Sequence, residues 1–136
     1  MMDRAYEKGV IPYCQEHNIG FVAFSPIASG YLSGKVDPNQ TFTGDDVRQW
    51  VPQLKKENML ANRPLLEVLS DIAARKHATN AQISLAWMLR KYPHVVPIPG
   101  SKNKGRILEN LGAWEVELSD GEFQELEDAL GRIAIH

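Results

Sequence analysis

The chain has 136 residues, of which 43% are hydrophobic and 24% charged, with a formal net charge of -2. These are ordinary values for one soluble globular domain, with no basic surplus for nucleic acid and no acidic tail for a disordered arm. No stretch approaches the roughly 20 apolar residues of a membrane span, and the opening MMDRAYEKG has no apolar signal core.

Residues 5 to 18 are expected to form one helix, with Pro12 in its first regular turn, Tyr13 and Cys14 facing inward, and His17-Asn18 near its end. GFVAF, residues 20 to 24, is apolar on both faces and predicts a buried parallel strand. Residues 25 to 60 hold Gly30, Gly34, Pro38, Gly44 and Pro52 and predict a long irregular stretch, of the kind that is usually functional. Asn62 reads as an N-cap with Pro64 in the first turn, followed by Leu65, Leu66, Val68, Leu69, Ile72 and Ala73 at helical spacing. Thr79 and Gln82 form a capping-box pattern for the next helix, which carries Ile83, Ala86, Trp87 and Leu89 and stops before Pro93.

VVPIP, residues 95 to 99, predicts a second short buried strand. Asn103 then caps a helix through Leu111, closed by Gly112. Ser119 and Glu122 make another capping box, and Phe123, Leu126 and Leu130 give the last helix its apolar stripe. Strands alternating with helices imply an α/β fold with a parallel sheet. Two strands that are apolar on both faces want neighbours on both edges, so the pattern reads as part of something larger.

The lone cysteine, Cys14, excludes an internal disulfide and fits an intracellular chain; a buried helix position explains it better than reactivity. Two segments carry chemistry. AFSPIASGYLSGK, residues 23 to 35, leaves a strand end, where α/β proteins place ligands. Gly30 and Gly34 allow close backbone approach, Ser25 and Ser29 offer hydroxyls, and Lys35 a cation. Plain turn chemistry explains the same residues. GSKNKGRILEN, residues 100 to 110, opens a helix with Ser101, Lys102, Lys104 and Arg106 in place. Cations there oppose the helix dipole, which makes a bound anion the better account. Glu109 and Asn110, one turn on, suit an amine and a ring nitrogen. Both sites follow strands of one parallel sheet, and a phosphate site after the last two strands is a habit of the eight-stranded barrel.

IGFVAFSPIASGYLSGK (19 to 35) resembles the seventh-strand segment of aldo/keto reductases, and VPIPGSKNKGRILENLGA (96 to 113) resembles their eighth-strand, cofactor-binding segment. The order and spacing between them fit as well, so residues 1 to 136 together resemble the C-terminal part of a bacterial-type member. The resemblance implies the C-terminal part of a TIM (β/α)8 barrel with about two parallel core strands and several helices. It further implies a cytoplasmic, NADP(H)-dependent oxidoreductase that reduces carbonyls to alcohols.

Residue by residue, the resemblance places Phe24 under the nicotinamide, where the family more often has tyrosine. It puts Ser25, Pro26, Ile27, Gly30, Leu32 and Gly34 around the pyrophosphate. Ser101, Lys102 and Arg106 match the clamp on the ribose 2'-phosphate, and Glu109 and Asn110 match the adenine contacts. The family's catalytic aspartate, tyrosine, lysine and histidine belong to sequence not found here. Tyr6, Tyr13, Tyr31 and Tyr92, Lys35, and His17, His77, His94 and His136 do not sit in their contexts. The expectation is a chain that holds the cofactor weakly and is inert alone. The alternative is a non-catalytic module that binds nucleotide or self-associates through open sheet edges.

Overall fold

Two short strands, β1 (Phe21–Phe24) and β2 (Val95–Ile98), pair in parallel with Phe21 opposite Val95 and Phe24 opposite Ile98. Around them the computed structural model, which describes residues 1–133, arranges six α-helices and several 3-10 turns. His136 lies outside the described residues.

The N-terminal helix is shorter than the sequence predicts. A 3-10 turn over Ala5–Lys8 breaks at Gly9, and α1 runs from Val10 to Glu16. Pro12 sits in its first turn, where a missing N–H costs nothing. Cys14 is buried, but Tyr13 is exposed and stacks on the His17 ring at 4.0 Å. The stretch 25 to 60 is also more ordered than its glycines and prolines imply. It contains 3-10 turns at 28–33, 47–50 and 52–54 and the helix α2 (Lys56–Ala61). It is pinned by Tyr31, Leu32, Leu54 and Met59, all in the core, and the Tyr31 hydroxyl donates to the Met59 carbonyl at 3.0 Å.

Helix α3 (Arg63–Lys76) buries Leu65, Leu69, Ile72 and Ala73, one stripe at i, i+4, i+7 and i+8. Asn62 occupies its N-cap position without a capping hydrogen bond from its side chain, which is buried. Helix α4 (Asn80–Lys91) is buried nearly all round, through Leu85 and Met88 as well as Ile83, Ala86 and Trp87, while Leu89 is half-buried. Each such aliphatic side chain contributes about 1.5–3 kcal/mol on leaving water. Helices α5 (Lys104–Leu111) and α6 (Asp120–Leu130) complete the set, and α6 packs Leu126 and Leu130 against α3. Trp87 Nε1 donates to the Glu127 carboxylate at 2.8 Å, and Lys91 and Arg4 close on the same carboxylate at 2.6 and 3.1 Å. That cluster ties the first residues, α4 and α6 together.

The sheet is dressed on one side only. Phe21, Ala23 and Val95 pack on the helical layer, whereas Val22, Phe24, Val96 and Ile98 face water. The expectation of strands covered on both faces therefore fails within these residues. Along α5, Ile107, Leu108 and Leu111 are also exposed, as is Trp114 just beyond. Both bare faces are what a barrel segment shows where its neighbours would pack.

Candidate cofactor-binding site

The chain leaves the C-terminal end of β1 through strained backbone. Ser25 and Ala28 both have φ of 48°, Ser29 has 54°, and Gly30 follows at 101°. Non-glycine residues in the left-handed region cost roughly 1–2 kcal/mol each, and such strain gathers at functional sites. Local bonds hold the loop: Ser25 Oγ accepts the Ser29 amide at 3.2 Å, and Ser33 Oγ donates to the Gly30 carbonyl at 2.6 Å. Pro26 and Leu32 are buried and Ile27 packs on the core, so their side chains anchor the loop. Ser25, Gly34 and the neighbouring Lys35 are exposed, and Gly30 is partly so. Phe24 is 81% exposed at the last position of β1.

The second loop leaves the same end of β2. Ser101 Oγ accepts the Asn103 amide at 3.1 Å, and the Asn103 side chain accepts the Arg106 amide at 3.1 Å. The amides of Lys104 and Gly105, in the first turn, have no intrahelical carbonyl to reach. Lys102, Lys104 and Arg106 are exposed around them and form no ion pair among the described residues. Three uncompensated cations at the positive end of a helix fit a polyanion such as a phosphate monoester.

The two loops meet. Lys35 Nζ lies 3.9 Å from the Glu109 carboxylate, so the cation expected to serve a phosphate is paired across the site. Gln82, whose side chain accepts the Thr79 amide at 2.9 Å, also donates to the Glu109 carbonyl at 2.8 Å. A Cβ on Gly112 would lie 2.7 Å from that same nitrogen of Gln82. Gly112 has φ of -62°, so room rather than a left-handed backbone demands the glycine. Asn110 is half-buried beside Glu109.

A groove of about 690 Å³ is lined by Val22, Ala23, Phe24 and Ser25 and also by Trp50, Val51 and Pro52. Residues from both faces of β1 line it, together with Val95 of β2 and Trp87 and Met88 of α4. Trp50 stands in this groove, whereas Phe42 lies beneath the Arg48 guanidinium at 4.3 Å. The hydropathy pattern of 36 to 60 contains no signal that separates these two aromatics.

Burial pushes the Tyr31 hydroxyl up to about 12, and burial with the neighbouring Glu7 pushes Tyr92 higher still. Among the described residues, no group of three or more His, Cys, Asp and Glu side chains is placed to hold a metal ion, and no helix is long and apolar enough to cross a membrane.

Two parallel strands with helices on one side and loops leaving their C-terminal ends are consistent with a segment of a (β/α)8 barrel. The chain belongs to the aldo/keto reductase family, whose model matches residues 1–130. It is 37% identical over 123 residues to the aldo-keto reductase yakc [NADP(+)] of Schizosaccharomyces pombe, covering 90% of this chain and 36% of that protein. It is 33% identical over 127 residues to probable aldo-keto reductase 1 of Glycine max, covering 93% of this chain and again 36% of the relative. The glycerol dehydrogenase AKR11B4 from Gluconobacter oxydans superposes with a TM-score of 0.81 at 26% identity, over 96% of this chain and 39% of that one. A thermostable aldo-keto reductase solved with the inhibitor epalrestat gives a TM-score of 0.63 at 27% identity, over 93% of this chain and 36% of its own. The chain thus spans little more than a third of the relatives it matches.

Proposed function

We propose that these residues form the cofactor-gripping part of a cytoplasmic, NADP(H)-dependent carbonyl reductase. The observation that carries this reading is the uncompensated cluster Lys102, Lys104 and Arg106 at the start of α5. A 2'-phosphate is the part of the dinucleotide that such a cluster discriminates, and Arg106 presents a forked donor for it. The NADP(+) in the name of the fission-yeast relative agrees with this assignment.

When bound, NADPH supplies the hydride. Phe24 offers an exposed aromatic face for its nicotinamide, and the backbone around Ser25, Gly30 and Gly34 admits the pyrophosphate. Arg106, Lys102 and Ser101 hold the 2'-phosphate, while Glu109 and Asn110 sit one turn further along α5 for the adenine. Reduction of a carbonyl also needs a proton donor near the carbonyl oxygen, and no tyrosine, histidine or lysine of these residues sits in the family's catalytic context. The 136 residues alone therefore bind without turnover, and their bare sheet face drives self-association.

Titration with NADPH and NADH, followed by cofactor fluorescence, tests the reading. A clear preference for NADPH supports it, and equal or undetectable binding of both rejects it. Steady NADPH consumption with a reactive aldehyde would reject the predicted inertness. Binding of neither nucleotide together with self-association would leave the oligomerisation module as the function.

A further inference from the structure

Asn80 and Gln82, the first and third residues of α4, each meet a different loop of the site. The Asn80 side-chain amide donates to Ser70 Oγ of α3 at 2.9 Å, which fixes its plane. A Cβ on Gly34 would lie 3.0 Å from the same nitrogen, so the left-handed backbone of Gly34 rests against it. Gln82 reaches the other way, to the Glu109 carbonyl of α5 at 2.8 Å and to the backbone of Gly112. The loop after β1 and the helix after β2 are thus both seated on one turn of α4.

That turn is a firm mount. Thr79 and Gln82 cap it reciprocally, and Ala81 and Ile83 beside them are buried. The direct tie between the two loops is weaker. Lys35 approaches Glu109 at 3.9 Å with 65% of its side chain exposed, and such a pair is worth little and is screened by salt. Hydrogen bonds and backbone packing on a buried helix start therefore decide how far apart the two loops stand.

Resting on the cofactor reading above, we propose that the first turn of α4 is a gauge that sets the span between the loop at Gly34 and the clamp on α5, with Asn80 and Gln82 as its positioning residues. They act through Gly34 and Glu109 and hold no part of the dinucleotide themselves. A dinucleotide is gripped at both ends at once, so a span left loose at either end costs affinity for the whole.

The test uses the full chain, amide hydrogen exchange and NADPH titration. Gln82→Glu keeps the capping box, because a carboxylate serves at that position and suits a helix N-terminus, so α4 and the fold persist, which circular dichroism checks. At about pH 8 the new carboxylate faces the Glu109 carbonyl, and exchange along α5 should rise about tenfold while α6 stays unchanged. At about pH 4.5 a carboxyl pressed on a carbonyl oxygen is largely protonated and can donate in the amide's place, so the excess over wild type should vanish. Asn80→Ala should instead raise exchange at Gly34 and Lys35. Each variant should weaken NADPH binding about tenfold, and the two together by far less than about a hundredfold, since a span already loose has little left to lose. Unmoved α5 exchange in Gln82→Glu, an excess that persists in acid, unmoved Gly34 and Lys35 amides in Asn80→Ala, or losses that multiply each overturn the proposal. A wild-type chain that binds no NADPH sinks the cofactor reading alone, and the exchange pattern then decides the gauge by itself.

Discussion

Phe24 and Ile98 stand directly opposite in the parallel ladder, and both side chains lie in water. With Val22 and Val96 they make an apolar face beside two unsatisfied strand edges. Such a surface recruits another copy of itself. Val96→Lys is expected to shift the chain toward monomer in light scattering at unchanged helical content. The same variant leaves stability within about 0.5 kcal/mol, because the site is already wet. A clean wild-type monomer would remove the basis for this expectation.

On the proposed reading, Arg106 is the residue that separates the two nicotinamide dinucleotides. Arg106→Ala should cost NADPH about 1.5–3 kcal/mol, the range of a charge-assisted hydrogen bond, and NADH a small fraction of that. Parallel titrations of wild type and variant measure the difference. Equal losses for both cofactors would place Arg106 on a shared part of the ligand.

Gly112→Ala puts a methyl 2.7 Å from Gln82 Nε2, whose other bond partners leave it little freedom. The expected loss is about 1–3 kcal/mol in urea unfolding, the range of local overpacking. Nucleotide affinity should fall as well, since the displaced contact holds α5. Gly121→Ala is the control, because a Cβ there meets nothing within 4 Å.

Glu122 gives a pH signature. Burial raises its carboxyl, but the Lys76 ammonium at 2.8 Å and the Ser119 amide at 2.8 Å outweigh it and hold the group down at about 2, against 4.5 when free. A folded value below the unfolded one means stability that is complete above 4.5 and is lost as pH falls toward about 2. Urea midpoints measured across that window should decline in wild type and be flatter in Glu122→Gln. Identical slopes would show that other carboxylates dominate.

Local chemistry was the most legible part of the sequence. The T-x-x-Q and S-x-x-E patterns both close into reciprocal capping boxes, and both strands fall within a residue of their apolar runs. Each of these signals is written within a few residues. Long-range covering is not. Val22 and Val96 read as core because periodicity reports what a residue could bury, not what lies over it. Tyr13 lies in water for the same reason, and the stretch 25 to 60 takes its order from Tyr31 and Leu32 reaching the core. The Lys35 pairing with Glu109 and the sharing of one groove by Trp50 and Phe24 join distant segments, and no spacing encodes them.

The double attachment of Gln82 restricts which side chain this position can hold. One end must accept a proton from the Thr79 amide and the other must give one to the Glu109 carbonyl. A carboxylate of the same length keeps the first role and turns the second into repulsion between oxygens; an alkyl chain keeps neither. Asparagine has both groups but lacks the reach of one methylene. Glutamine alone serves both ends, so the start of α4 and the seat of α5 are chosen by the same amide.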